Sequence, residues 1–290
     1  MNFVFVVGAT GTGKSQLALE RAEKDGGVIL NCDSVQCYSE VSIGSAKPSA
    51  EEFKRVPHSL YGFVNPPEEL TVGQYHRKFF EEIEKFEKVR ANTVYVVGGT
   101  GFYFQAIEKG LFSVSQTPPE LKEEIENWLS TPEGLEAGYR ELKGLDPEAT
   151  AKISEQDAYR IGRALELIRC EKKTLTQIQK EFAEQAKPFP YPLKKIGIHL
   201  TREQLEPRIQ ARTKKMLEHG LIEEVEALMK KGLETWAPLR SVGYKETVQF
   251  LKENKSRQWL YDEICLRTLQ LAKKQKTWFK RDPQIEWLTP

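Results

Sequence analysis

The chain has 290 residues, with 43 Lys and Arg against 42 Asp and Glu and four cysteines, so it is long enough for one large or two modest domains with an ample core. No apolar stretch approaches the roughly 18 residues of a membrane span, and the short run from Phe3 lacks the basic flank of a signal peptide; a soluble, cytoplasmic protein is expected. Cys32, Cys37, Cys170 and Cys265 form no CxxC pair and have no histidine at zinc spacing, which excludes a disulfide framework or a zinc site and leaves reduced thiols.

The apolar run Phe3-Val4-Phe5-Val6-Val7 predicts a buried parallel strand. It leads into Gly8-Ala9-Thr10-Gly11-Thr12-Gly13-Lys14-Ser15, which fits the P-loop pattern GxxxxGK[ST]. Glycines there let backbone N–H groups converge on an anion, the following helix to about Lys24 aims its positive end at it, Lys14 adds a point charge, and the Ser15 hydroxyl suits Mg²⁺. A second strand, Val28 to Asn31, leads into Asp33-Ser34-Val35-Gln36. Ligands of open parallel sheets sit beyond the carboxyl ends of the strands, so Asp33 is expected beside the phosphates. It reads as a Mg²⁺ ligand through water or as a general base, with a turn or N-cap aspartate as the plain alternative.

Between Ile43 and Leu60, neither Lys47 nor His58 stands out on chemistry alone. A helix from Val72 to about Val89 and a strand from Val94 to Val97 complete a βαβ rhythm. That strand ends in Gly98-Gly99-Thr100-Gly101, where a Walker-B acid would stand, so hydrolysis of a nucleotide γ-phosphate is less expected. The glycines either let backbone approach a flat or extended ligand or simply turn strand into helix.

After Gly110 the strand signals stop, and helices are predicted at Glu120 to Leu129, Leu135 to Leu142, Glu155 to Arg169 and Thr176 to Glu184. Strands return at Lys195 to Leu200 and Ile285 to Leu288. The predicted architecture is therefore α/β: a P-loop NTPase-like parallel-sheet core flanked by helices, built from 1–114 and 190–290, with an all-helical insertion at 115–189. Arg208 and Arg212, spaced i, i+4 with Met216 continuing the face, suit a diphosphate clamp or a surface ion-pair face with Glu203 and Glu206. The charge is uneven: residues 190–290 carry 20 basic and 13 acidic side chains, and 267–281 hold six basic residues and no acid, with Trp278 and Phe279 among them. Basic groups interleaved with aromatics suit nucleic acid.

Taken in order, GATGTGKS, DSVQCY, IGSAKPS, VPHSL, VGGTGFYF, QDAYRIGRALE, SVGYKE and KKQKTWFKRDP resemble the motifs of the tRNA dimethylallyltransferases, from Phe3 to Leu288. The resemblance implies transfer of a dimethylallyl group from dimethylallyl diphosphate to N6 of adenosine 37, beside the tRNA anticodon. It implies that residues Gly8 to Ser15 and the Arg208–Arg212 pair neutralise the leaving diphosphate with Mg²⁺, and that Asp33 takes or orients the N6 proton. The target adenine must leave its stack to react, and its edge would be read by Asp33, Ser34, Val35 and Gln36. Thr100 and Lys122 would border its channel. Gln156, Asp157, Ala158, Tyr159 and Arg160 of the insertion would touch the anticodon stem-loop. Further tRNA contacts are implied for Arg240, Ser241, Val242, Gly243, Tyr244 and Lys245, and for Lys273, Lys274, Gln275, Lys276, Thr277, Trp278, Phe279 and Lys280.

Departures from the family pattern are Ala9 where many members have proline, Ser59 in place of a second histidine, and Cys37 where an aliphatic residue is frequent. The compact bacterial form of the family, without a C-terminal zinc-finger extension, and a monomer are expected. Two other readings compete: an ATP-dependent small-molecule or nucleoside phosphotransferase, which the P-loop alone would favour, and a non-catalytic RNA-binding module with a vestigial phosphate loop.

Overall fold

The computed structural model describes residues 1–88, 92–111, 117–185 and 187–289. The chain forms two units, Met1–Glu108 with Phe189–Pro290, and Lys109–Pro188. The expected boundary at 114/115 lies outside the described residues, as does Val89 at the end of the third predicted helix.

In the larger unit, β1 (Asn2–Gly8) runs into the P-loop, and α1 (Lys14–Asp25) begins after Gly13, whose φ of 96° is open to glycine. Gly26, at φ 66°, ends that helix, and β2 (Val28–Asn31) follows. Two short elements escape the periodicity: α2 (Ala50–Arg55), which buries no residue and is fixed by a Ser49/Glu52 capping box, and β3 (His58–Ser59). Then come α3 (Val72–Lys88), β4 (Thr93–Val97) and α4 (Gly101–Lys109).

The smaller unit is helical among its described residues: α5 (Pro119–Leu129), α6 (Pro132–Leu145), α7 (Pro147–Thr150), α8 (Ala158–Glu171) and α9 (Leu175–Gln185). Its core is Ile125, Leu129, Leu142, Ile161, Ala164 and Leu165. Helix α8 starts later than the periodicity suggests because Asp157 caps it, Oδ1 accepting from Arg160 N at 3.1 Å. Asp146 ties α7 to α9, accepting from Ala149 N at 3.0 Å and from Thr176 N at 2.8 Å.

The chain returns to the larger unit through β5 (Leu193–Ile198), α10 (Arg202–Glu218), α11 (Leu221–Lys230), α12 (Tyr244–Glu253), α13 (Arg257–Phe279) and β6 (Ile285–Leu288). Strand β5 ends two residues before the predicted Leu200, because Thr201 and Gln204 form the capping box that opens α10. All ladders of the six-stranded sheet are parallel, in the order β3-β2-β4-β1-β5-β6. Both faces of the central strands are covered, which is why β1, β2 and β4 read as nearly unbroken apolar runs. Phe3, Phe5 and Val7 face one core with Phe79 and Phe104, while Val6 faces α1 through Ala18, Leu19 and Ala22. The one buried lysine of the sheet, Lys195, is held by Glu108 at 2.6 Å, Asp282 at 2.7 Å and Gln284 at 3.0 Å, so its charge is compensated. No helix among the described residues is long and apolar enough to cross a membrane.

The carboxyl ends of β2 and β4 approach so closely that a Cβ at Gly98 would lie 2.0 Å from the Cys32 carbonyl oxygen. Neither partner can yield, since both are strand-end backbone. Gly98→Ala is therefore expected to destabilise the chain by about 3 kcal/mol or more, at or beyond the upper end of ordinary overpacking. A urea denaturation midpoint equal to that of the unaltered chain would contradict this close approach.

Candidate active site

Strand ends β1, β2 and β4 open into one cavity of about 310 Å³, lined by P-loop residues Thr10, Gly11, Gly13, Lys14 and Ser15 and by Asp33, Gln36, Ser45, Ala46, Gly98, Gly99, Arg208, Arg212 and Gln275. The loop folds tightly on itself: Thr12 Oγ1 and Lys14 Nζ both donate to Ala9 O, at 2.9 and 2.7 Å. Gly8 (φ 138°) must be glycine for a further reason, since a Cβ there would stand 2.9 Å from Ile198 O of the neighbouring strand.

Asp33 reaches this cavity on a turn that the buried side chain of Asn31 organises. Asn31 Oδ1 accepts from Asp33 N at 2.9 Å, and its Nδ2 donates to Asp33 O at 3.0 Å and Leu60 O at 2.9 Å. Asp33 Oδ1 accepts from Val35 N at 3.0 Å, whereas Oδ2 has no hydrogen-bond partner among the described residues and is open to a ligand. Thr100 steadies the next residue by accepting from Ser34 N at 3.0 Å. Gln36 turns toward the 45–46 loop, donating to Ser45 O at 2.9 Å and Ala46 O at 3.0 Å. Asp33 and Gln36 thus line the cavity, and Ser34 and Val35 complete the turn.

Positive charge dominates the site. Arg208 and Arg212 both face the cavity from α10, with no ion-pair partner among the described residues, and Arg208 also donates to Thr12 O at 3.4 Å. The alternative surface pairing goes elsewhere, as Arg202 meets Glu206 at 3.6 Å. Burial lowers Lys14 to about 8, a shift that Asp33 opposes and Arg212 adds to. Burial also lowers Arg212, again against the pull of Asp33. Three cations thus converge on a pocket with a single carboxylate, an arrangement that suits a multiply charged anion. Among the oxygen donors that line the cavity and suit a divalent cation are the Ser15 hydroxyl and the Asp33 carboxylate.

Other sequence expectations are redirected. Lys47 lies outside the cavity lining; its Nζ donates to Tyr38 O and to Ser39 O at 3.0 Å, and burial lowers it to about 8. His58 and Ser59 form the edge strand, with His58 Nδ1 against Val56 O at 2.7 Å and Ser59 donating to Glu82 at 2.5 Å. Within the two segments of the larger unit expected to meet tRNA, Tyr244 and Phe279 are core residues at 0% and 4% exposure, and their side chains cannot reach an RNA. Ser241 Oγ is turned onto Pro238 O at 2.6 Å, and Gly243 N donates to Glu246 at 2.6 Å. Gln275 points inward, accepting from Thr10 N at 2.8 Å and donating to Gly99 O at 3.0 Å. Arg240, Lys245, Lys273, Lys274, Thr277, Trp278 and Lys280 are exposed, with Val242 and Lys276 half-buried. In the smaller unit Lys122, Gln156, Tyr159 and Arg160 are exposed, Tyr159 by 81%, and Asp157 and Ala158 are half-buried at the start of α8.

Sequence reasoning missed Glu224. Its carboxylate accepts from Ser42 N at 2.9 Å, Ile43 N at 2.9 Å and Gly44 N at 3.4 Å, and from the Tyr244 hydroxyl, whose oxygen in turn accepts from Ser45 N at 3.3 Å. This network fixes the loop that forms one wall of the cavity. No local signal marks it, because the partners are about 180 residues apart.

Similar proteins are known. A tRNA dimethylallyltransferase of Bdellovibrio bacteriovorus is 52% identical over 284 residues, covering 98% of this chain and 92% of the relative. The crystal structure of a full-length tRNA isopentenylpyrophosphate transferase from Bacillus halodurans superposes with a TM-score of 0.72 at 28% identity, covering 99% of this chain and 89% of that one. A eukaryotic dimethylallyltransferase acting on tRNA, 24% identical, shares the fold with a TM-score of 0.84 over 100% of this chain and 74% of its own. The model of the IPP transferase family matches residues 36–282. With that match over most of its length and relatives of this similarity, the chain belongs to the IPP transferase family.

Proposed function

We propose that the chain transfers a dimethylallyl group from dimethylallyl diphosphate to N6 of adenosine 37 in tRNA, giving the N6-dimethylallyl nucleoside and diphosphate. Family membership supports prenylation of tRNA by an enzyme, with tRNA and a prenyl diphosphate as partners, and favours neither an ATP-dependent phosphotransferase nor a non-catalytic RNA-binding module. The observation that carries the residue-level reading is the single cavity in which the P-loop, Lys14, Arg208 and Arg212 face Asp33 while β4 ends in glycine.

An exocyclic adenine amine is a weak nucleophile, since its lone pair is delocalised into the ring. The step is a displacement: the C1–O bond breaks with its electron pair going to diphosphate, N6 bonds to C1, and N6 gives up a proton. The P-loop amides, Lys14 and the two arginines stabilise the charge that develops on the leaving group. Asp33, with Oδ2 open to the cavity, accepts or orients the N6 proton. Ser15, with Asp33 through water, fits Mg²⁺ by donor chemistry, and the ion when bound would add positive charge against the diphosphate. No γ-phosphate is cleaved, so the missing Walker-B acid costs nothing. The adenine is flipped from the anticodon loop, its edge read at Asp33 to Gln36. Exposed Lys273, Lys274, Trp278 and Lys280 of α13, with Arg240 and Lys245, bind tRNA. In the smaller unit, the Gln156–Arg160 turn touches the anticodon stem-loop.

Incubation with labelled dimethylallyl diphosphate and unmodified tRNA, without nucleotide, is expected to place label in the tRNA. Asp33→Ala is expected to lower single-turnover transfer roughly 10²-fold or more while tRNA affinity is largely kept. Transfer at the unaltered rate in that variant would remove Asp33 from the proton step.

The state of Lys14 sets a pH limit. With a pKa lowered to about 8, it is mostly charged at neutral pH and loses its proton as pH rises through that value. The charged form binds diphosphate, so kcat/KM for the donor is expected to be level below about pH 7.5 and to fall above about pH 8. Lys14→Arg, always charged, would move that fall beyond the accessible range at a lower absolute rate. A wild-type profile level to about pH 10 would show that Lys14 does not carry the limit.

A further inference from the structure

We propose that Gln275 is a positioning residue that couples the RNA-facing helix α13 to the anion cradle. The inference rests on the reading of the P-loop as a diphosphate site.

Gln275 sits within the most basic stretch of the chain, yet its side chain leaves that surface. Its neighbours Lys273, Lys274, Thr277 and Lys280 are exposed, while the Gln275 amide enters the cavity between two loops distant in sequence. Oε1 accepts from Thr10 N at 2.8 Å, and Nε2 donates to Gly99 O at 3.0 Å. A carboxamide carries one acceptor atom and one donor atom at its tip, and each makes a hydrogen bond here. Glutamate would set a second acceptor against the Gly99 carbonyl, and an apolar side chain would satisfy neither loop. The receiving surface is shaped for this contact. A Cβ on Gly99 would lie 2.2 Å from Nε2, and one on Gly101 would lie 2.2 Å from the Trp278 indole. Residues 275 and 278 are three apart, so one face of α13 is seated on the glycine turn that ends β4.

The consequence lies in which backbone amide is taken. Thr10 N belongs to the P-loop, whose N–H groups would otherwise converge on the anion. With Oε1 on Thr10, the loop is held in one conformation and its later amides, with Lys14, are left for diphosphate. RNA pressing on the exposed side of α13 bears on the same helix that holds this amide. Coupling of this kind is reciprocal: if RNA tightens diphosphate binding, diphosphate must tighten RNA binding by the same factor.

The test is titration of the full chain with inorganic diphosphate and Mg²⁺, with and without a saturating anticodon stem-loop RNA, for the unaltered chain, Gln275→Ala and Gln275→Glu. In the unaltered chain the RNA is expected to change diphosphate affinity by about 5-fold or more. In both variants that factor is expected to fall to about 1, with affinity for RNA alone kept within about 2-fold. A purely structural role would alter stability or both affinities but leave the ratio intact. Either folded variant keeping the wild-type factor, or a wild type that binds both ligands without coupling, would overturn the proposal. A wild type that binds no diphosphate would instead overturn the P-loop reading on which it rests.

Discussion

The geometry of this site depends on one buried amide. Asn31, at 0% exposure, closes β2 and uses Oδ1 and Nδ2 to hold the backbone of Asp33 on one side and Leu60 on the other. Its own carbonyl accepts from the Tyr75 hydroxyl at 2.8 Å, and Tyr75 stacks on Tyr103 with ring centroids 4.0 Å apart. The turn that carries Asp33 is therefore tied to the aromatic core beneath the sheet. Each of these groups would cost about 1–3 kcal/mol if buried without a partner, so the turn has little freedom to fold otherwise. In the proposed role of proton acceptor, an Asp33 held this firmly would need no rearrangement when the reaction begins.

Around that fixed acid the charges are arranged asymmetrically. Lys14, Arg208 and Arg212 face the cavity and Asp33 alone opposes them. Such a site favours a multiply charged anion, while burial, to which Arg212 adds, lowers Lys14 to about 8. In the proposed reaction a diphosphate would complete the site, and the completion would grow stronger as charge accumulates on the leaving group. The glycine end of β4 serves the same purpose by a different route. It lets the strand ends approach to backbone contact at Gly98 and gives α13 a seat at Gly99 and Gly101.

Much of this was legible in the sequence because it depends on local pattern. The strand before the P-loop, the loop itself, and the return of strands at β5 and β6 follow from hydrophobic runs and glycine spacing. Which way a side chain points within a motif does not. Tyr244, Phe279 and Gln275 belong to segments that the family resemblance assigns to tRNA, yet the first two pack in the core and the third turns to the P-loop. Glu224 and the loop it caps were invisible because the contact joins residues about 180 positions apart. The short helix α2 was missed for a different reason: it buries nothing, so no apolar periodicity marks it, and only its capping box does.

Diphosphate binding in the cavity beside Asp33 is tested most directly by a crystal structure of the chain with inorganic diphosphate and Mg²⁺. The expected result is both phosphoryl groups between the amides of Gly11 to Ser15 and the guanidinium groups of Arg208 and Arg212, with the Asp33 carboxylate left free for the acceptor amine. A cavity that stays empty at diphosphate concentrations that inhibit prenyl transfer, with the anion bound elsewhere on the chain, would contradict it.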